Sequence, residues 1–420
     1  MRWSLSLPIL GFLTFPLFAN WPHFMGAGFD NSEADGKVLQ SFPESGPRVL
    51  WEVDVNAGFG GAAIVGDEVF HLDRVDQEFD ILYCLDLKTG KEKWSWKKAV
   101  PGRISHPGAR GVPTVTDDAV YVTSGFGGVY CIDRKTQKER WVVEMAKRFD
   151  AEPPRFGWAG HPIVKDGLCY LAPLGEKVGL AALDAKTGKT VWTSETVGNS
   201  HSSPLLMSVL GKEVLVMPGD FGREELVILG VAPKTGKTVF RYTENFGSGI
   251  FNAIPNLLML GEDRAIFTGG YRKGTWLLRF EKEGDKMKVE KVGKLAYGAK
   301  FHAPLVIGGS LYMTADKARG KDMSGLVSLS PTGETNWGTG KEPQLNGGSL
   351  INVGGTIISQ DGDTGELRLI KAGKKYLELG KAKVFSKKTG KELWAPMAFS
   401  DGKLVMRSQY QLICVDLGLE

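Results

Sequence analysis

At 420 residues, with 52 Lys and Arg against 48 Asp and Glu, the chain carries a formal net charge of +4, and no window concentrates the excess. That balance leaves no basic footprint for nucleic acid or for an anionic membrane surface. With 55 Gly and no amphipathic helical run of useful length, the composition predicts an all-β chain in which many turns use positive φ.

Met1 to Ala19 has one Arg, an apolar run from Leu5 to Phe18 and a small residue before Asn20. It reads as a secretory signal cleaved after Ala19, and Pro8 and Pro16 break it too early for a membrane span. The expectation is export to the periplasm or beyond, with no transmembrane segment after cleavage. Residues 20–47 follow as an ordered leader lying on the body. Val49 to Val55 then alternates like a lone outer strand.

From there the chain repeats itself. Asp86-Leu87-Lys88-Thr89-Gly90 with Trp94 recurs as Asp133-Arg134-Lys135-Thr136-Gln137 with Trp141 and as Asp184-Ala185-Lys186-Thr187-Gly188 with Trp192. Two looser copies are Pro233-Lys234-Thr235-Gly236 with Phe240, and Pro331-Thr332-Gly333 with Trp337. Steps of 47, 51 and 48 residues separate Thr89, Thr136, Thr187 and Thr235. Such a period, built from short strands, predicts propeller blades. Each copy reads as a tight hairpin turn followed by an aromatic wedged against the next blade.

Seven units start near Gly60, Gly111, Gly160, Ser202, Ala253, Ala303 and Gly348. The last unit, Ala395 to Asp416, supplies three strands, and Val49 to Val55 supplies the fourth, so the termini clasp and the ring has no free edge. The prediction is one eight-bladed β-propeller over residues 48–417, with seven blades as the alternative. The fifth and seventh units are weak: Arg279 to Asp285 replaces the usual turn, and Gly362 to Lys375 is polar. Lys388-Thr389-Gly390-Lys391-Glu392-Leu393-Trp394 resembles a further turn, but Ala395-Pro396 follows at once, and so it reads as a connector.

The four Cys are not set up for disulfides. Cys84, Cys131 and Cys414 share one register in different blades and Cys169 lies on another strand, farther apart than the roughly 7 Å that a bridge tolerates. They read as small core residues, and neither they nor any other spacing makes a metal motif.

The Asp-x-Lys-Thr-Gly-Lys-x-x-Trp repeat and starts such as Gly111-Val112-Pro113-Thr114-Val115 resemble the pyrroloquinoline-quinone (PQQ) type propeller family. Trp21-Pro22 and Gly26 ahead of Trp51, with the Leu404 to Asp416 ending, look like its compact exported members in planctomycetes and verrucomicrobia. The resemblance implies a fold shared by quinoprotein dehydrogenases and by the non-catalytic outer-membrane assembly lipoprotein B, so it leaves activity open. The alcohol-oxidising branch implies adjacent Cys over the quinone and Glu, Asn and Asp ligands to Ca²⁺. No two Cys are adjacent here, no such ligand set matches, and no catalytic residue is carried over.

Ligands of propellers are held where the inner strands start. At those starts stand His106, Arg110, Trp158, His161, His201, Asn252 and Phe301 with His302. They read either as a polar mouth for a ligand, with Trp158 stacking and the imidazoles hydrogen-bonding, or as groups that satisfy crowded backbone carbonyls. The rim charges Asp73-Arg74, Asp220 with Arg223, Tyr271-Arg272-Lys273 and Asp316-Lys317 read as solvated. The functional expectation is a non-catalytic binding or scaffold propeller that takes a protein partner or small ligand at its mouth. The alternatives are a dehydrogenase using PQQ with Ca²⁺, and carbohydrate recognition.

Overall fold

A computed structural model describes residues 20–222, 224–245, 253–316 and 324–419. Eight antiparallel four-stranded units make the expected eight-bladed propeller, one of them extended by a fifth strand. The inner strands are Ala62–Val65, Thr114–Val115, Ile163–Lys165, Leu205–Val209, Leu258–Met259, Leu305–Ile307, Leu350–Val353 and Ala398–Ser400. Each begins within a few residues of the start read from the repeat. Arg48–Asp54 pairs antiparallel with Gln411–Asp416, so the first long strand closes the last blade. Helix is confined, among the described residues, to Met145–Phe149. The predicted signal, residues 1–19, lies outside the described residues.

The repeated turn forms because its Asp replaces missing backbone partners. Asp86 Oδ1 accepts from the Thr89 N–H at 2.8 Å and from its hydroxyl at 2.7 Å, and Asp184 and Thr187 repeat both bonds. The Gly that follows takes φ of 69° at Gly188, and a Cβ there would stand 2.8 Å from the ring of Trp141 in the preceding blade. Positive φ and this approach both demand Gly. Trp141 Nε1 then donates to Ala185 O at 3.0 Å. The same latch joins Trp51 to Leu87 O at 2.8 Å, Trp192 to Pro233 O at 2.8 Å and Trp337 to Gly373 O at 2.9 Å. The aromatics are inter-blade cement.

The two weak units keep this logic in altered form. In the fifth, Gly274–Glu283 and Lys286–Leu295 make a hairpin, and Leu295 packs where a Cβ on Gly333 of the next blade would stand. In the seventh, Asp361 Oδ1 accepts from Thr364 N at 2.8 Å. The Asp turn there sits between the second and third strands, Thr356–Gln360 and Leu367–Lys371. Residues 386–397 carry no strand, so Lys388 to Gly390 is a connector as expected. All four Cys are free and buried in the blades.

The leader divides: its first part, Asn20 to Glu33, runs along the inner strands, and its second part packs against the clasp blade, where Leu39 N donates to Leu417 O at 2.9 Å. Asn20 Oδ1 accepts from Gly66 N, at the far end of the first inner strand. Trp21 then pairs antiparallel with Ile64 through two 2.9 Å bonds on that strand's inner edge. Running against the strand, the leader climbs toward the mouth, and Val115 N donates to Pro22 O at 2.8 Å. It turns back at Met25, and Ser32–Glu33 leaves alongside Leu350–Val353 as a parallel fifth strand. Trp21 and Met25 are buried. The channel needs an apolar filling, and these two side chains supply it.

Candidate functional site

The mouth above this plug holds a cup of about 310 Å³. Its wall is the set of connectors that run from each outer strand to the next inner strand, and most of them deliver a ring. Phe59, His106, Phe156, His201, Phe301 and Trp394 all line it, and the leader's Phe24 makes the floor. Phe301 stacks on Trp394 at 3.9 Å, and Phe59 stacks on Trp394 at 5.8 Å. Lys300 Nζ lies 4.7 Å from the Tyr271 ring and 4.8 Å from Phe301, a cation held over π faces. Glu392 is the carboxylate of the cup, 3.9 Å from His106 Nε2.

His161 and His302 are held as neutral rings. His161 packs on Phe24 at 4.3 Å, and its Nδ1 accepts from Val112 N at 2.8 Å. Burial first, then the neighbouring His23, pushes its pKa down to about 3. Because Nδ1 accepts, the proton of the neutral ring is on Nε2. His302 hydrogen-bonds the Trp394 backbone, and burial outweighs that bond and pushes its pKa down to about 4. Its Nε2 is buried without a partner, an arrangement that costs about 1–3 kcal/mol unless something donates to it.

The other expected residues divide. His106 lines the cup with Ser105 Oγ 3.1 Å from its Nδ1. His201 lines it too, its ring 5.2 Å from Phe156 and its N–H on Ala253 O. Arg110 reaches the lining but spends its guanidinium on the carbonyls of Gly108, Ser105 and His106 at 2.6–2.8 Å. Burial and then Arg74 lower its pKa to about 10; it braces the connector. Asn252 lies outside the described residues.

Trp158 is a correction. Its ring faces the core between the second and third blades, where a Cβ on Gly127 would touch it, and Nε1 donates to Pro173 O at 2.9 Å. A Trp with both its face and its donor satisfied inside cannot stack on a ligand. The rim charges need correcting as well, because Asp73, Arg74 and Asp220 are buried. Arg74 binds Asp80 at 2.8 Å and the carbonyls of Gln77, Val100 and Gly102, fixing the connector that carries His106. Asp73 accepts from the backbone and side chain of Asn56. Nearby, Arg407 meets Asn56 O at 2.6 Å and His71 Nε2 at 3.4 Å. Arg223 and Lys317 lie outside the described residues.

Sequence reasoning passed over Phe24, Phe59, Phe156, Lys300, Glu392 and Trp394. Most share one signal, a ring or charge in the few residues ahead of a blade start. Trp394 was hidden inside a connector that imitates the structural turn.

A second hollow, of about 1080 Å³, lies at the opposite end between the leader and the clasp blade. Three of its charges pair, Arg48 with Asp416 at 2.5 Å and Lys403 with Asp416 at 3.8 Å. Among the described residues no three His, Cys, Asp or Glu converge as a metal set. The four Cys are buried in the blades, and none lines the cup. The described residues that line the cup do not fit a quinone with its Ca²⁺.

The family described as outer membrane protein assembly factor BamB matches residues 80–339, a span that begins in the first blade and ends in the sixth. The chain belongs to this family. Among solved structures, BamB from Moraxella catarrhalis is 14% identical with a TM-score of 0.61, over 88% of this chain and 99% of that one. A europium-containing methanol dehydrogenase is 12% identical with a TM-score of 0.66, over 92% and 89%. A quinohemoprotein alcohol dehydrogenase from Comamonas testosteroni is 13% identical with a TM-score of 0.65, over 96% and 81%. At such identities the likeness is one of fold. No curated protein matches the sequence.

Proposed function

We propose that this protein is an exported, non-catalytic binding propeller that holds a ligand or a segment of a protein partner in the mouth cup. The observation that carries the reading is the ring-lined cup, whose lining includes His302 with its buried, unpartnered Nε2. An apolar concavity with a few fixed polar groups is the general form of a binding site. The match to the family described as an assembly factor favours a protein partner over a redox substrate. The dehydrogenase reading loses support because the cup has neither the thiols nor the ligand set for a metal-bound quinone, and the carbohydrate reading loses the exposed Trp158. Export rests on the predicted signal, and N-terminal sequencing of the secreted product should begin at Asn20.

The test places a photo-crosslinking amino acid at Phe156, in the cup, and at Val191, exposed on an outer strand. A discrete adduct formed in cells from position 156 and absent from position 191 is expected. Equal labelling from both positions, or saturable uptake of PQQ with Ca²⁺ by the purified chain, would refute the reading.

A further inference from the structure

We infer that the mouth cup recognises a peptide segment through one backbone amide, with an aromatic side chain laid among the rings. The inference rests on the proposed binding function and adds the chemistry of the occupant.

Two polar atoms decide it. His161 Nδ1 is committed to Val112 N at 2.8 Å, so its Nε2 presents a hydrogen. His302 Nε2 is buried with no hydrogen-bond partner, while the bond that ring makes is to the Trp394 backbone. Beside the charges of Lys300 and Glu392, the two neutral imidazoles leave an occupant one polar atom each, the His161 Nε2 donor and the unpartnered His302 Nε2. A carboxylate brings acceptors alone and an ammonium brings donors alone, whereas a peptide unit brings one N–H and one C=O on a rigid plane. Both imidazoles stay neutral through the physiological range, which keeps this polarity constant.

The leader shows what kind of chain the channel accepts. It is an extended peptide bonded by its backbone to the inner edges at Ile64 and Val115, and it presents Phe24 to His161 at 4.3 Å. Above Phe24 the cup continues with Phe59, Phe156 and Phe301, rings that face the cavity with no leader residue between them. A partner's loop or terminus entering from the mouth would meet there what the leader meets below.

The experiment titrates the purified chain with N-acetylphenylalanine amide, N-acetylalanine amide, 3-phenylpropionate and methyl glucoside, followed by saturation-transfer NMR. The phenylalanine amide is expected to bind at least tenfold tighter than the other three. His302→Leu should weaken it by about tenfold. Phe156→Ala should weaken it similarly with an unchanged melting temperature, which separates loss of the site from loss of the fold. Equal or tighter binding of 3-phenylpropionate or of the glucoside would overturn the peptide inference and leave the cup standing as a site of another class. Unchanged binding in His302→Leu would overturn it too. If no probe binds, the cup reading falls with it.

Discussion

The two ends of the propeller treat the same backbone problem in opposite ways. At the turn end, positive φ falls on Gly90, Gly188 and Gly236, at 68°, 69° and 70°. At the mouth it falls on His106, Tyr271 and Glu392, at 60°, 57° and 61°, all of which line the cup. A non-Gly residue there carries a conformational cost. These three seats avoid that cost where a Trp arrives from the preceding blade, whereas Gln137, at 60°, bears it in the second blade's turn. The mouth bears it where a side chain is wanted. Repetition in this molecule marks what holds the ring together, and departure from repetition marks where the blades face a common ligand.

Acid titration should separate the two ends, and it is the largest effect expected. His71, His161 and His302 have pKa values lowered to about 4, 3 and 4, chiefly by burial. The unfolded chain therefore takes up these protons first, so their stabilisation is complete above about pH 6.5 and is lost as pH falls toward 4. At roughly 1.4 kcal/mol per unit for each group, the three together remove several kcal/mol. The turn carboxylates shift in the other setting. Backbone and side-chain bonds from Thr136 and Arg140 lower Asp133 to about 2, and bonds from Thr187 lower Asp184. Their contribution persists above about pH 4 and is lost only below it. Urea melts at stepped pH should show a first loss between pH 6.5 and 4, reduced in His161→Asn. A single loss confined below pH 4 would contradict the buried neutral histidines.

Breaking one latch comes next. Trp141→Ala removes a buried indole, its bond to Ala185 O and its contact with Gly188, and should cost about 3–5 kcal/mol. Trp94 makes the informative control. The next blade has Gln137 at φ 60° in place of Gly, so that latch position is blocked, and Trp94 is only partly buried. Trp94→Ala should cost less than half as much by equilibrium unfolding. Equal losses would mean that the Gly seat does not set the strength of the joint.

The latch face was legible because its chemistry is local: Asp, Thr and Gly close a turn within a few residues, and Trp follows at fixed distance. The turn gives the period, and eight blades follow from counting the seven starts from Gly60 to Gly348 and joining Val49 to Val55 with the last three strands. His161 and His302 were legible for a similar reason, since a blade start fixes where a residue next to Pro162 or Ala303 must lie. Trp158 was misread because two neighbouring positions on a connector point to opposite sides, and spacing alone does not say which. The leader was opaque for a different reason. Its partners, Ile64, Val115 and Asn352, are scattered along the chain, and nothing periodic in Trp21-Pro22-His23-Phe24 announces a channel to fill. Lys300 and Trp394 come from blades far apart in sequence, so their contact at 5.8 Å exists only after the ring has closed.

The leader gives the third prediction. Phe24→Ala removes the ring that floors the cup and supports His161, and a half-buried Phe of this kind is worth about 1–2 kcal/mol. The loss should appear as a lower melting temperature and as faster proteolysis near residue 20 with the blades intact. Global proteolysis instead would make the leader part of the blades' own cooperative unit.

The smallest effect on stability falls on the residue expected to matter most for binding. Phe156 is half-buried and meets His106 at 5.4 Å and His201 at 5.2 Å, contacts between rings that themselves border the cup. Phe156→Ala should therefore cost no more than about 1 kcal/mol, against 3–5 for the latch Trp. A residue kept for packing loses stability in proportion to the surface it buries. A residue kept for a ligand loses binding first. If Phe156→Ala proves as damaging to the fold as Trp141→Ala, the mouth rings are cement of a second kind, and the contrast between the two ends of the propeller disappears.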